Sequence, residues 1–137
     1  MAELDFMVLG DFVRADNGVL HIVAAGIDQI VVENVPTAQT IGVGIRLLFT
    51  RNECDREHIL ELIFQDEDGH RLVELSLPMT PGVPPNLADG ARPSAVVNAN
   101  LTLPLPQVGA YGLELLLDGN SLKSVPLHVV SRQSHVV

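Results

Sequence analysis

The regular alternation of apolar and polar residues is the feature that most constrains how this chain can fold. Residues 41–50 show it most clearly, because every second side chain is large and apolar: Ile41, Val43, Ile45, Leu47 and Phe49. Successive side chains of a β-strand point to opposite faces of the sheet, so this pattern gives a strand one apolar face. An α-helix would need apolar residues three or four positions apart. We therefore predict a strand here, with its apolar face toward a core.

Similar alternation recurs along the chain and is interrupted by short turn segments. The segments 16–18, 67–69 and 118–120 combine acidic or amide residues with glycine, which tolerates the positive φ angles of tight hairpin turns. Strands are predicted at 5–14, 19–27, 41–50, 57–66, 70–77, 94–103, 111–118 and 122–130, and residues 29–35 are predicted to form a short extension that ends at Pro36. Pro126 cannot donate to a strand ladder, so the last strand is predicted to be an edge. About eight short strands without a helix indicate an all-β fold, an antiparallel β-sandwich.

The segment Gly109-Ala110-Tyr111, followed by alternating leucines, resembles the tyrosine corner of immunoglobulin-like domains. In that motif a tyrosine near the start of the penultimate strand bonds to nearby backbone. The chain has one cysteine and no tryptophan, so it lacks the disulfide and the buried tryptophan of antibody domains. We expect a sandwich that is immunoglobulin-like in the broad sense.

Length and composition favour a single domain. The 137 residues are 47% hydrophobic, and domains typically contain about 100–150 residues. We expect the domain to span residues 1–130 and to be followed by a polar C-terminal tail, residues 131–137. Residues 78–93 contain five prolines and two glycines, which excludes a strand or helix interior. Either a long crossover connection or a functional binding loop fits this segment.

The charge balance and the single thiol narrow the function classes. A formal net charge of −9 argues against binding to nucleic acid or to anionic membranes. No apolar run approaches the roughly 18 residues of a spanning helix, and the N-terminal residues lack the basic start of a secretory signal. Because Cys54 is the only cysteine, an internal disulfide is excluded and a cytoplasmic location is expected.

Three glycine-containing segments near the N-terminus carry a family resemblance. They read Gly10-Asp11-Phe12-Val13-Arg14, Asn17-Gly18-Val19-Leu20-His21-Ile22 and Gly26-Ile27-Asp28-Gln29-Ile30. This pattern is similar to the opening of an uncharacterised family of small β-rich bacterial proteins that is common in actinobacteria. The similarity continues through the segments 66–72 and 111–130. It implies a standalone bacterial domain without an assigned activity.

No residue pattern for catalysis is present. The histidines are His21, His58, His70, His128 and His135, and none has the paired spacing of metal ligands. Those at 21, 58 and 128 lie inside predicted strands, where a structural role is expected. Cys54 is flanked by Glu53 and Asp55, whose charges raise the pKa of a thiol and make it a poor nucleophile. Because nucleophile motifs and phosphate-binding glycine loops are also missing, we expect no enzyme and no cofactor.

The acidic turns offer one alternative, a calcium or small-ligand site. If successive strands are antiparallel, the turns at 16–18 and 118–120 share one end of the sandwich with the loops at 51–56 and 78–93, while the 66–68 turn lies at the other end. Hard cations prefer oxygen ligands, and the candidates are Asp16, Asn17, Asp118 and Asn120. Tight turns need the same residue types for conformational reasons, so turn formation alone also accounts for them.

The first two predicted strands are apolar on both faces, although a sandwich strand normally needs only one apolar face. The surplus residues are Met7, Leu9 and Val13 on one face and Phe6, Val8 and Phe12 on the other, with Leu48 and Leu116 on otherwise polar faces. Either the proline-rich loop or another protein could cover such a face. We expect a non-enzymatic interaction or structural module that self-associates or docks on a partner protein. Its predicted contact residues are Met7, Leu9, Val13, Leu48 and Leu116.

Overall fold

The computed structural model describes residues 2–132, which form two β-sheets packed face to face and one separate hairpin. The first sheet contains, in spatial order, β1 (Glu3–Gly10), β5 (Thr37–Leu48) and β8 (Ser94–Leu105). The second contains β4 (Gln29–Val32), β10 (Asn120–Ser131), β9 (Gly109–Leu117), β6 (His58–Asp66) and β7 (Arg71–Met79). The hairpin consists of β2 (Phe12–Asp16) and β3 (Val19–Val23). The predicted all-β sandwich is confirmed, and its strand pairs are antiparallel except that β4 runs parallel to β10.

The core lies between the two sheets, where the alternating residues meet. The predicted apolar face of β5 is fully buried, and the facing strands β6 and β9 bury the predicted leucines. The largest fully buried side chains are Phe49, Phe64, Ile41, Ile45, Leu47, Leu60, Leu62, Leu103, Leu105, Leu113, Leu115 and Leu127. Each contributes about 1.5–3 kcal/mol through burial. The alternation of apolar and polar residues therefore correctly predicts which side chains form the inner faces of the two sheets.

Several strand ends differ from the prediction. β5 begins at Thr37 rather than at residue 41. β10 continues through Ser131, which pairs with Val32, so this residue belongs to a strand and not to the predicted tail; residues 133–137 of that tail lie outside the described residues. β10 is also not an edge along its whole length, because β4 pairs with it from His128 onward, beyond Pro126.

The first predicted strand is two strands, because the chain leaves the first sheet after Gly10. β1 pairs with β5 up to the Gly10–Gly42 pair, and β2 then pairs with β3 instead. At the bend, the Asp11 amide donates to the Val23 carbonyl at 2.8 Å. The β2–β3 hairpin thereby folds back over the outer face of the first sheet, which the chain leaves after β1.

Two glycines and an asparagine let the hairpin lie against β5 and β8. A Cβ atom on Gly42 would sit 2.6 Å from the Val13 backbone nitrogen, and one on Gly44 would sit 3.1 Å from the Leu20 side chain. Asn100 accepts a hydrogen bond from the Val13 amide (3.2 Å) and donates one to the Val13 carbonyl (3.0 Å). Val13 is consequently fully buried. The hairpin thus buries its own inward face against β5 and β8, and the proline-rich loop takes no part in this contact.

The proline-rich segment connects the edge strand of one sheet with the edge strand of the other. It lies against the end of the sandwich, where the Asp55 amide donates to the Pro81 carbonyl and the Phe49 amide donates to the Pro93 carbonyl, both at 2.8 Å. This places the 51–56 and 78–93 loops at one end, as expected. At the other end, the Tyr111 hydroxyl donates to the Gln107 carbonyl at 2.5 Å, which confirms the tyrosine corner.

The contact between β5 and the hairpin gives a test by substitution. Gly42→Ala should destabilise the fold by about 1–3 kcal/mol, because its methyl group overlaps the backbone of β2. Urea unfolding measures this change. The control is Gly82→Ala, where nothing lies within 4 Å of the added Cβ and φ is not positive; equal stability losses in both variants would contradict the proposed contact.

Candidate functional site

The structure does not bring the five predicted interaction residues onto one surface. Leu9 is buried in the core, and Met7 packs against the core. Val13 is buried between the hairpin to which it belongs and the outer face of the first sheet. Leu48 follows the inward Leu47 on β5, and Leu116 follows the inward Leu115 on β9, so these two half-buried residues lie on opposite outer faces of the sandwich. These five residues therefore do not form one continuous exposed surface.

Exposed apolar residues lie instead on the outward face of the hairpin. Phe12 and Val23 form a cross-strand pair and are 52% and 57% exposed, and Val19 near the tip is 55% exposed. Arg14 and His21 form the pair between them. The outward face of the hairpin, residues 12, 14, 16, 19, 21 and 23, thus combines three exposed apolar residues with Arg14, His21 and, near the tip, Asp16. Three of the seven large hydrophobic residues exposed among the described residues belong to it.

The sequence contained the signal for this surface, although in an indirect form. The alternating pattern places Phe12 on the second apolar face of the first predicted strand, and it predicts residues 19–27 as the strand that pairs with it. Gly42 and Gly44 alternate on the outer face of β5, where side chains are otherwise expected. A glycine inside a strand can mark a close approach of another backbone. That pattern identifies which element covers the sheet and hence which residues face outward.

The predicted calcium ligands are separated in the structure. Asp118 bonds to His58 and to the amide of Ile59, so its carboxylate is already engaged. Asn120 lines a cavity of about 120 Å³ together with Asp118 and Glu53, whereas Asp16 and Asn17 belong to the hairpin tip and do not line it. Among the described residues, the His, Cys, Asp and Glu side chains close enough to share an ion are Asp66, Asp68 and His70.

The Asp66 group is explained by its turn. One oxygen of Asp66 accepts hydrogen bonds from the amides of Asp68 (3.0 Å) and His70 (2.9 Å), and the other lies 3.2 Å from His70 Nδ1. An aspartate that bonds the backbone two residues on is a common turn-forming device. This arrangement stabilises the β6–β7 turn without an ion.

His58 joins three segments at the proline-rich end of the sandwich. Its Nδ1 lies 2.6 Å from Asp118 Oδ2 and its Nε2 lies 2.7 Å from the Glu53 carbonyl. Both partners are acceptors, so both ring nitrogens donate when the ring is an imidazolium. His58 is buried, and the expected structural role of this histidine is confirmed. Asp118, at φ 51°, lies in the left-handed region at the β9–β10 turn.

The surroundings shift the pKa of both members of this pair. The hydrogen bond to Asp118, followed by that to the Glu53 carbonyl, raises the pKa of His58 although burial opposes the change. Burial acts to raise the pKa of Asp118, but hydrogen bonds from His58 and Ile59 and the imidazolium charge lower it overall. Both shifts favour the ion-paired form of this contact.

Cys54 does not complete a nucleophilic site with His58. Its thiol lies 3.6 Å from the Thr50 carbonyl, and the ring nitrogens of His58 have other partners. Burial, with the charges of Asp55 and Glu53 adding to it, raises the pKa of the Cys54 thiol. The expected direction is confirmed, although burial and not the flanking acids is the main cause.

The two facing, mainly antiparallel sheets and the tyrosine corner define an immunoglobulin-like β-sandwich. A family model matches residues 5–130, and the chain belongs to this family, DUF6941, a family of unknown function. No curated protein matches the sequence. Among residues 2–132, no helix is long and apolar enough to cross a membrane.

Solved structures share the fold at low sequence identity. A glycosyl hydrolase family 2 member from Bacteroides cellulosilyticus matches with a TM-score of 0.50 and 16% identity, over 68% of this chain and 12% of that chain. The Pseudomonas fluorescens alkylpurine DNA glycosylase AlkC, bound to DNA containing an abasic site analog, matches with a TM-score of 0.53 and 10% identity, over 94% and 30%. An immunoglobulin-like protein from Pseudomonas aeruginosa matches over 95% and 97%, with a TM-score of 0.45 and 16% identity. This chain thus spans less than a third of the first two proteins, and the likeness concerns the fold alone.

The His58–Asp118 pair predicts a defined pH dependence of stability. Because the pKa of His58 is raised above 6.5, its contribution is complete below that pH and is lost as the pH rises through the folded-state pKa. Because the pKa of Asp118 is lowered below 3.8, its contribution is present above that value and is lost as the pH falls through the folded-state pKa. The pair should therefore stabilise the fold most between these two values. We expect Asp118→Asn to remove about 1–3 kcal/mol in that window.

Urea unfolding of the wild type and of Asp118→Asn across this pH range measures the difference in their free energies of unfolding. The exposed His128 provides the control, because His128→Gln should keep the wild-type difference between mildly acidic and mildly alkaline pH. If Asp118→Asn retains the same pH dependence as the wild type, the pair does not contribute as described.

Proposed function

We propose that this protein is a non-enzymatic protein-interaction module that docks on another protein through the outward face of its hairpin. The observation that carries the proposal is the exposed Phe12–Val23 pair beside Val19. Clustered exposed apolar residues on a soluble domain mark interaction sites more often than isolated ones do. Phenylalanine is also enriched at the centre of protein interfaces. The family resemblance and the single buried thiol support a bacterial, cytoplasmic setting for this activity.

Size and charge favour another protein over a second copy of the chain. The hairpin is five residues long on each of its two strands, so its outward face measures about 17 by 10 Å. Stable dimers bury about 800 Å² on each partner, so two hairpin faces alone fall well short of this area. Each copy also carries a net charge of −9, which opposes association between copies.

Calcium binding receives less support from the geometry. The carboxylate of Asp118 is shared between His58 and Ile59, and Asp16 lies in a different element from Asp118. The Asp118 carboxylate thus already serves contacts with the neighbouring strand.

Replacing the apolar pair should abolish docking without unfolding the domain. The double substitution Phe12→Ser with Val23→Thr removes exposed apolar area, and surface changes of this kind alter stability by about 0.5 kcal/mol or less. A partner captured from a bacterial extract on the immobilised wild-type protein is purified and titrated against both forms by calorimetry. We expect the Kd to rise at least about tenfold in the double variant, which corresponds to about 1.4 kcal/mol.

Val108→Thr is the matched control, because Val108 is 47% exposed and lies outside the hairpin. It should bind the partner as tightly as the wild type does. Equal affinity of the wild type and the double variant would overturn the proposal. Light scattering over a range of concentrations adds a second readout: a dimer that the double variant cannot form would identify a second copy as the occupant and overturn the choice of another protein.

A further inference from the structure

β5 extends beyond its neighbour β1, and this leaves one strand position empty in the first sheet. The pairing of β1 with β5 ends at Gly10 and Gly42, whereas β5 begins at Thr37. Residues 37–40 are all exposed, and burial of β5 begins only at Ile41. Within the described part of the chain, no strand pairs with residues 37–41 on the side where β1 would continue. The backbone groups that point to this side have no β-ladder partner there.

An open groove follows this empty position. Its larger part, about 450 Å³, lies between β4 and the start of β5, and a smaller part of about 150 Å³ continues toward Asp11. The two parts share Val31 and Gln39. We call this continuous groove the β4–β5 trough; its lining residues used below are Asp11, Val31, Glu33, Gln39 and Arg132. Its floor offers both unpaired strand backbone and the half-exposed Val31 side chain.

We propose that the β4–β5 trough binds an extended, basic segment of a partner protein, which adds as a strand alongside residues 37–41 of β5. Strand addition supplies main-chain hydrogen bonds from an exposed sheet edge, while pockets for alternate side chains provide selectivity. In the trough, Val31 supplies the apolar contact. This surface is separate from the outward face of the hairpin, so the inference goes beyond the docking proposed above and does not depend on it.

The charges around the trough select a basic occupant. Asp11 lies at one end, and no ion pair within residues 2–132 involves it. Glu33 lies at the other end, 3.5 Å from Arg132, and both of these side chains are about 70% exposed. With Asp11, the two acids and one base give the trough a net charge of −1. The net charge of −9 adds long-range attraction for a cationic segment. With eight basic residues in 137, the chain itself is a poor source of such a segment.

A synthetic peptide of alternating lysine and valine, acetylated and amidated at its ends, tests the inference directly. Titration into the ¹⁵N-labelled protein should give saturable amide shifts at residues 29–33 and 37–41. The affinity should fall several-fold when salt is raised toward about 1 M, where the screening length is about 3 Å. A peptide with glutamate in place of lysine tests the charge requirement, and one with N-methylated alternate amides tests the main-chain bonds; both should bind at least tenfold more weakly.

Substitutions in the protein separate the trough from other surfaces. Val31→Arg should block the groove and repel the basic peptide, with at least a tenfold loss of affinity, and Asp11→Asn should weaken binding two- to fivefold. Val19→Arg adds the same charge at a similarly exposed valine near the hairpin tip, outside the trough, and should cause a much smaller loss. Binding of the N-methylated or the acidic peptide with unchanged affinity, shifts that map outside the trough, or the absence of any saturable shift would each overturn the inference. None of these results alters the test of the hairpin, which reads out Phe12 and Val23.

Discussion

The close approach of the Val13 backbone to β5 is the contact on which the remaining arrangement depends. This approach requires glycine at position 42, because a Cβ atom there would overlap the Val13 backbone. The Asn100 side chain stabilises the contact through hydrogen bonds to both the amide and the carbonyl of Val13. Because the hairpin lies on the outer face of the sheet, the chain must leave that sheet at Gly10. This single bend has two results. It turns Phe12 and Val23 toward solvent, and it stops β1 short of the first residues of β5.

The parts of the fold that follow from local rules could be predicted from the sequence. The alternation from Ile41 to Phe49 sets an inner face whatever the strand order, and Tyr111 forms its corner with a residue four positions away. The division of residues 5–14 between two strands, β1 and β2, could not be predicted in the same way. Apolar residues continue on both sides of Gly10-Asp11, and the contacts that require glycine at positions 10 and 42 are made with residues of the β2–β3 hairpin. Since a shift of one residue exchanges the two faces of a strand, an error at this bend changes which side chains are exposed.

The candidate sites show the same division. Asp118 and Asn120 have the right chemistry for a ligand site and do line a small cavity, but the sequence does not show that His58 lies next to Asp118. That proximity arises from the antiparallel pairing of β6 with β9, where Leu60 lies opposite Leu117. The surplus of apolar residues near the N-terminus was a sound indication of an unusual covering element. Leu9 and Val13, which the sequence suggested as contact residues, are buried, and the covering hairpin is made by the same segment of the chain.

The short open edge of β5 also bears on how the protein stays soluble. An unpaired strand edge is a template on which other chains can add, and long flat edges promote aggregation. Here the exposed stretch of residues 37–40 is only about 13 Å long at the usual rise of a strand. Asp11 and Glu33 lie at its two ends, so another copy would bring like charges into contact. The bend that opens this edge thereby also limits its length, and an edge so short and so acidic cannot readily nucleate a growing sheet of identical chains.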